Sequence, residues 1–84
     1  LSLDQYWKKL EYRSYIEDRM KAASKELEQL DSEMNQEAGQ KGEDWTDADA
    51  NRYGGDLDKL QTKVEKLAKL KVKVNKSIMD YRTS

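Results

Sequence analysis

The sequence has no cysteine, no histidine and no proline. Without cysteine there is no disulfide framework and no thiolate zinc site, and nothing is said about redox compartment. Without histidine, the commonest general base and the commonest metal ligand are gone as well. Carboxylates are plentiful, but two helices cannot wall off a pocket that would displace their pKa values, so catalysis is not expected. No apolar run approaches the roughly 20 residues that span a bilayer, and no basic-then-apolar cleavable leader is present. Neither membrane insertion nor export by that route is expected. The absence of proline removes the strongest interruption to a long helix.

Hydrophobic residues make up 36% of the chain and charged residues 39%, a balance too polar to surround a core on all sides but suited to helices with one apolar stripe. Eighty-four residues make one domain. A hairpin of that size buries little surface, so association with another helical chain is expected.

Ser2, with Asp4 in the first turn and Gln5 three residues on, reads as a capping box. From there Tyr12, Ile16, Met20, Ala23, Leu27, Leu30 and Met34 recur at spacings of four and three, which predicts a helix from 3 to about 38. Gly39 and Gly42 bracket the polar stretch Gln40 to Asp44, where positive φ is available, so the turn is expected at 39–45. Thr46 is the candidate N-cap of a second helix over about 46–82, with Asp47 and Asp49 complementing its dipole. Its stripe is Tyr53, Leu57, Leu60, Val64, Leu67, Val74, Ile78 and Tyr81, close to a heptad, broken at Lys71 and filled by Leu70. Gly54 and Gly55 each cost about 1 kcal/mol against alanine inside a helix. They mark either a break, with the main helix starting at Asp56, or a tolerated kink, or a place where a partner helix approaches the backbone. The expected fold is all-α: one domain over 1–84, an antiparallel two-helix hairpin with arms of about 54 Å, pairing into a four-helix bundle.

The near-neutral total charge hides a polar bar. Residues 26–58 hold eleven acidic side chains against Lys41 and Arg52, a net of −9, whereas residues 1–25 carry +2 and residues 59–84 carry +6. Head-to-tail packing of two hairpins would place each acidic turn beside the other's basic end. Leu3, Trp7 and Leu10 lie roughly 90° or more around the first helix from its main stripe. Val72 and Met79 stand off the stripe of the second helix in the same terminal region. Such a leftover apolar face is a candidate interface; the bland reading is that it completes the hairpin's own core.

Two ligand readings are weaker. Asp47, Asp49, Asn51 and Asp58 occupy positions 1, 3, 5 and 12 of a calcium-loop pattern, but the sixth position needs glycine and holds Arg52, with Gly54 two residues late. A capped helix start explains them better. Lys59, Lys63, Lys66, Lys69, Lys71, Lys73 and Lys76 suggest nucleic acid, yet they spread around the helix without an aromatic platform and the net charge is −1. A solvated basic face is the better reading.

Residues 45–70, WTDADANRYGGDLDKLQTKVEKLAKL, resemble the start of the second helix in the W-x-G family of small helical hairpins, the substrates and targeting partners of type VII secretion systems. Trp45 stands at the turn tryptophan and Tyr53 at the aromatic eight residues on, and the run Leu60, Lys63, Val64, Glu65, Lys66, Ala68, Leu70 is similar to some members. Asp47 replaces the motif's glycine, and the tail motif Y-x-x-x-[DE] is missing because Ser84 follows Tyr81 by three residues. The resemblance implies a non-enzymatic protein that pairs with itself or a related hairpin, or docks on the helical targeting region of a larger secreted toxin. It implies secretion without a cleavable leader, or a cytoplasmic stage before export. Through it Trp45, Asp47 and Tyr53 join Leu3, Trp7, Leu10, Val72 and Met79 as candidate partner-binding residues. For Trp45 the structural alternative is a plug in the open end of the hairpin. No cofactor, metal or nucleic acid is expected. The rival class is a structural or adaptor coiled-coil hairpin, such as a type III secretion needle- or chaperone-like subunit.

Overall fold

The computed structural model describes residues 2–83. Its first helix, α1 (Leu3–Lys41), opens where the capping box places it: Ser2 is extended, and its Oγ accepts the Gln5 backbone N–H at 3.2 Å. The helix continues past the expected end, through Gly39, because the positive-φ residue that turns the chain comes three positions later. That residue is Gly42, at φ 52, the only positive φ among the described residues. Its N–H donates back to the Ala38 carbonyl, and Lys41 in the last turn complements the dipole. A 3-10 turn, Gly42–Asp44, and the extended Trp45 lead to α2 (Asp47–Thr83). The second capping box is complete. Asp49 N–H donates to Thr46 Oγ1 at 3.2 Å, while Thr46 N–H and its hydroxyl both donate to Asp49 Oδ2 at 3.1 Å.

No break occurs at Gly54 and Gly55; α2 passes through both. A Cβ built on either would meet no atom within 4 Å, so neither glycine serves close packing inside the hairpin.

The pairing is antiparallel, and its register can be read from the bridging residues. Tyr6 stacks on Tyr81, Arg82 donates to Tyr6, Arg13 donates to Asn75, Lys71 pairs with Glu17, and Arg52, Tyr53 and Asp49 meet Glu37 or Lys41. In each pair the two residue numbers add to between 87 and 90, so the helices run side by side without a slip for their whole length. The result is a rod of 62 × 15 × 14 Å.

The seam departs from the expected stripes in two places. Tyr12 is 46% exposed and lies off the seam, whose terminal part is instead Tyr6, Leu10 and Arg13, all half-buried. Arg13 holds its seam position by donating from Nη1 to Asn75 Oδ1 at 3.3 Å. In α2, Leu70 is 39% exposed and does not fill the gap at Lys71. Lys71 stays on the seam, half-buried, and its ammonium reaches Glu17 at 3.6 Å, as a long side chain can while its stem is partly covered. Among the described residues only Ile16, Ala23 and Ile78 are fully buried, so the hairpin has a thin core.

Candidate functional site

The two ends of the rod are built differently. At the turn, Glu37 on α1 is the hub. Its carboxylate accepts from Arg52 Nη2 at 3.0 and 3.1 Å, from Lys41 Nζ at 3.3 Å, and from the Tyr53 hydroxyl. Lys41 also reaches Asp49 Oδ1 at 3.1 Å, tying α1 to the capping box of α2. The Tyr53 hydrogen bond, with help from Lys41 and Arg52, holds the Glu37 carboxyl below its ordinary value, and Lys41 does the same for Asp49. In return the hydrogen bond to Glu37 pushes the Tyr53 phenol up, and Asp49 raises Lys41. Trp45 joins this cluster through Tyr53. Its ring lies nearly parallel to that of Tyr53, centroids 6.2 Å apart, and the Arg52 guanidinium sits 5.1 Å from the Tyr53 centroid.

At the terminal end Tyr6 stacks on Tyr81 at 4.6 Å, with Arg82 Nε donating to the Tyr6 hydroxyl at 3.1 Å. Around it, large apolar side chains are exposed among the lysines. Among the described residues the exposed large hydrophobics are Leu3, Trp7, Tyr12, Tyr15, Leu70, Val72 and Met79, and every one lies in the terminal half of the rod. Leu3 and Trp7 share a side of α1 by their four-residue spacing, and Val72 and Met79 share a side of α2 by their seven-residue spacing. Trp7 is 57% exposed and Met79 55%.

The expected partner-binding residues thus fall into two groups. Leu3, Trp7, Val72 and Met79 are exposed on the terminal half, with Leu10 half-buried beneath them, shared between this patch and the seam. Trp45 and Tyr53 are brought together at the turn, both half-buried and engaged internally, with Asp47 exposed at the first position of α2. Two contributors were not anticipated: Tyr6, whose seven-residue series with Arg13, Met20, Leu27 and Met34 is hidden by the charge of Arg13, and Glu37, an ordinary helical glutamate until Tyr53 and Arg52 are folded against it.

Asp47, Asp49, Asn51 and Asp58 lie along one continuous helix, where positions two apart point to opposite sides and cannot converge on one ion. Asp49 is already committed to Thr46 and Lys41. No group of three acidic side chains among the described residues is arranged to hold a metal, and no described helix is long and apolar enough to cross a membrane. No protein-family model, curated protein or solved structure matches the chain.

Proposed function

We propose that this chain is a non-enzymatic helix-docking module of the W-x-G type, a type VII secretion substrate or the targeting partner of a larger secreted protein. The observation that carries the reading is the exposure of Leu3, Trp7, Val72 and Met79 on the terminal half of a hairpin whose own core is thin. Large apolar side chains gathered beside a half-buried leucine are the usual anchors of a helix interface. The terminal half is basic and the turn half, which is acidic, exposes no large hydrophobic among the described residues. A second copy laid head to tail on this patch would therefore offer carboxylates without apolar partners. A related hairpin, or the helical targeting region of a larger secreted protein, that carries both at one end satisfies the surface better. Trp45, stacked on Tyr53 at the motif position, provides a second landmark at the turn.

The test is co-expression with the helical region of a secreted toxin encoded beside this gene, followed by calorimetry on the purified pair. A one-to-one complex is expected. Burial of a side chain of this size contributes roughly 1.5 to 3 kcal/mol, so Trp7→Ala or Met79→Ala should raise the Kd about tenfold or more. A complex indifferent to both substitutions, or no complex with any such neighbour, would sink the reading.

A further inference from the structure

The positive charge of the terminal half gathers on one side of the rod. On α1, Lys8, Tyr12, Tyr15 and Arg19 follow at spacings of four, three and four, which keeps them on one side of the helix. On α2, Lys63, Lys66, Leu70, Lys73 and Ser77 do the same at spacings of three, four, three and four. All of them except Ser77 are exposed. A groove lined by Lys8, Lys9, Tyr12, Lys73, Val74 and Ser77 joins the two stripes, so both lie on the same side of the hairpin. No carboxylate interrupts either stripe over these residues. Lys9, Arg19, Lys63, Lys66 and Lys73 form no ion pair among the described residues, and Lys8 meets only Asp4, at 3.4 Å, with both side chains open to water.

This is not the Trp7 side. Trp7 is about 140° around α1 from Tyr12, and Val72 and Met79 are about 160° or more around α2 from Leu70. The stripes on the Trp7 side carry both signs, Glu17 and Glu65 against Lys21 and Arg82. Toward the turn the basic stripes give way to Glu26 and Glu33 on α1 and to Asp56 on α2. The cations thus stand among Tyr12, Tyr15 and Leu70 on a surface two helices wide, with Val74 in the groove between the arms.

We propose that this side docks on the surface of an anionic lipid bilayer. Unpaired ammonium and guanidinium groups meet the headgroup phosphates, while tyrosine rings and lysine stems enter the interfacial layer with their polar tips in water, and Leu70 reaches the acyl boundary. Neither described helix is long and apolar enough to cross a bilayer, so this contact is made from the surface. A single-stranded nucleic acid fits less well, because it needs ring faces on which bases stack. Tyr15 is already stacked by Tyr12, centroids 6.4 Å apart, and has the Arg19 guanidinium over its ring at 5.9 Å. The acidic turn half is repelled by the same lipid, so the rod rests on its terminal half. The Trp7 side is turned away and stays open to a protein partner, on whose identity the lipid contact does not depend.

Vesicle co-sedimentation at physiological salt tests it, with phosphatidylcholine alone or mixed with phosphatidylglycerol, and circular dichroism to confirm that each variant keeps its helices. The wild type should sediment with the anionic vesicles and not with the neutral ones, and high salt should release it. Lys66→Glu/Lys73→Glu should weaken binding about tenfold or more, and Leu70→Ser by a smaller factor. Trp7→Ala should leave it unchanged. Tryptophan emission should keep its wavelength on binding, since Trp7 and Trp45 both lie off this side. Equal binding to neutral vesicles, no binding to anionic ones, or indifference to Lys66→Glu/Lys73→Glu would overturn the proposal. A blue shift of the emission that Trp7→Ala abolishes would overturn it too, placing the lipid on the Trp7 side. So would a single-stranded oligonucleotide that binds where anionic vesicles do not, which would make this side a nucleic-acid surface.

Discussion

The turn end and the terminal end use the same two helices for opposite purposes. At the turn, Glu37, Lys41, Asp49, Arg52 and Tyr53 satisfy one another, and Trp45 stacks on Tyr53. At the terminal end Tyr6 stacks on Tyr81 and accepts from Arg82, and large apolar side chains are left facing water. A hairpin needs its turn settled before its arms can align, so polar groups spent there act on folding. Apolar groups left unspent at the other end cost the isolated chain little and are available to a partner.

Substitutions at the two ends should therefore differ in kind. The largest loss is expected at Ile78, one of three fully buried residues: Ile78→Ala should remove about 2 kcal/mol or more of stability, read as a lowered thermal midpoint. If that midpoint does not fall, the terminal seam is not a core at all. Next comes the turn. Thr46→Ala takes away the capping box and should cost about 1 kcal/mol, with faster amide exchange in the first turns of α2 and little change near Tyr81. Gly55→Ala should work in the opposite direction. The residue is helical with open space around it, so alanine should add up to about 1 kcal/mol, and a lowered midpoint would show that something crowds the backbone there.

The smallest effect is selective in pH. Glu37 and Asp49 have lowered folded pKa values, so their contribution is present above the ordinary carboxylate range and is lost as pH falls through the lowered values. Tyr53 and Lys41 are raised, so theirs is present below their ordinary values and is lost as pH rises through the folded ones. Strong acid and strong alkali should accordingly loosen the turn by a larger factor, relative to neutral pH, than they loosen the Tyr6–Tyr81 stack. Equal loosening of both ends in acid would mean that the charged cluster contributes nothing of its own.

Most of the fold was legible because caps and turns are local. Ser2 with Gln5 and Thr46 with Asp49 specify helix starts within four residues of chain, and Gly42 marks the reversal. The errors came where a charged residue sits on the seam. Arg13 and Lys71 look like surface residues in the sequence, and reading around them shifted the stripe to Tyr12 and Leu70. Only the partner helix, with Asn75 and Glu17 in the right places, makes those positions tolerable for a cation. Trp7 and Met79 could be picked out because they fall off both stripes; Glu37 could not, since nothing local distinguishes it.

The register of the two arms also orders events in time. Lys41 and Asp49 are eight residues apart in sequence, whereas Tyr6 and Arg82 are separated by 76. Loop-closure entropy grows with separation, so the chain zips from the turn outward and its termini join last. They are correspondingly the first part to open. Because Leu3 and Trp7 sit on one arm and Val72 and Met79 on the other, a protein that grips all four holds the two arms shut. Capture by such a partner and the final step of folding would then be one event, and the rate of that capture would report on how often the open end closes by itself.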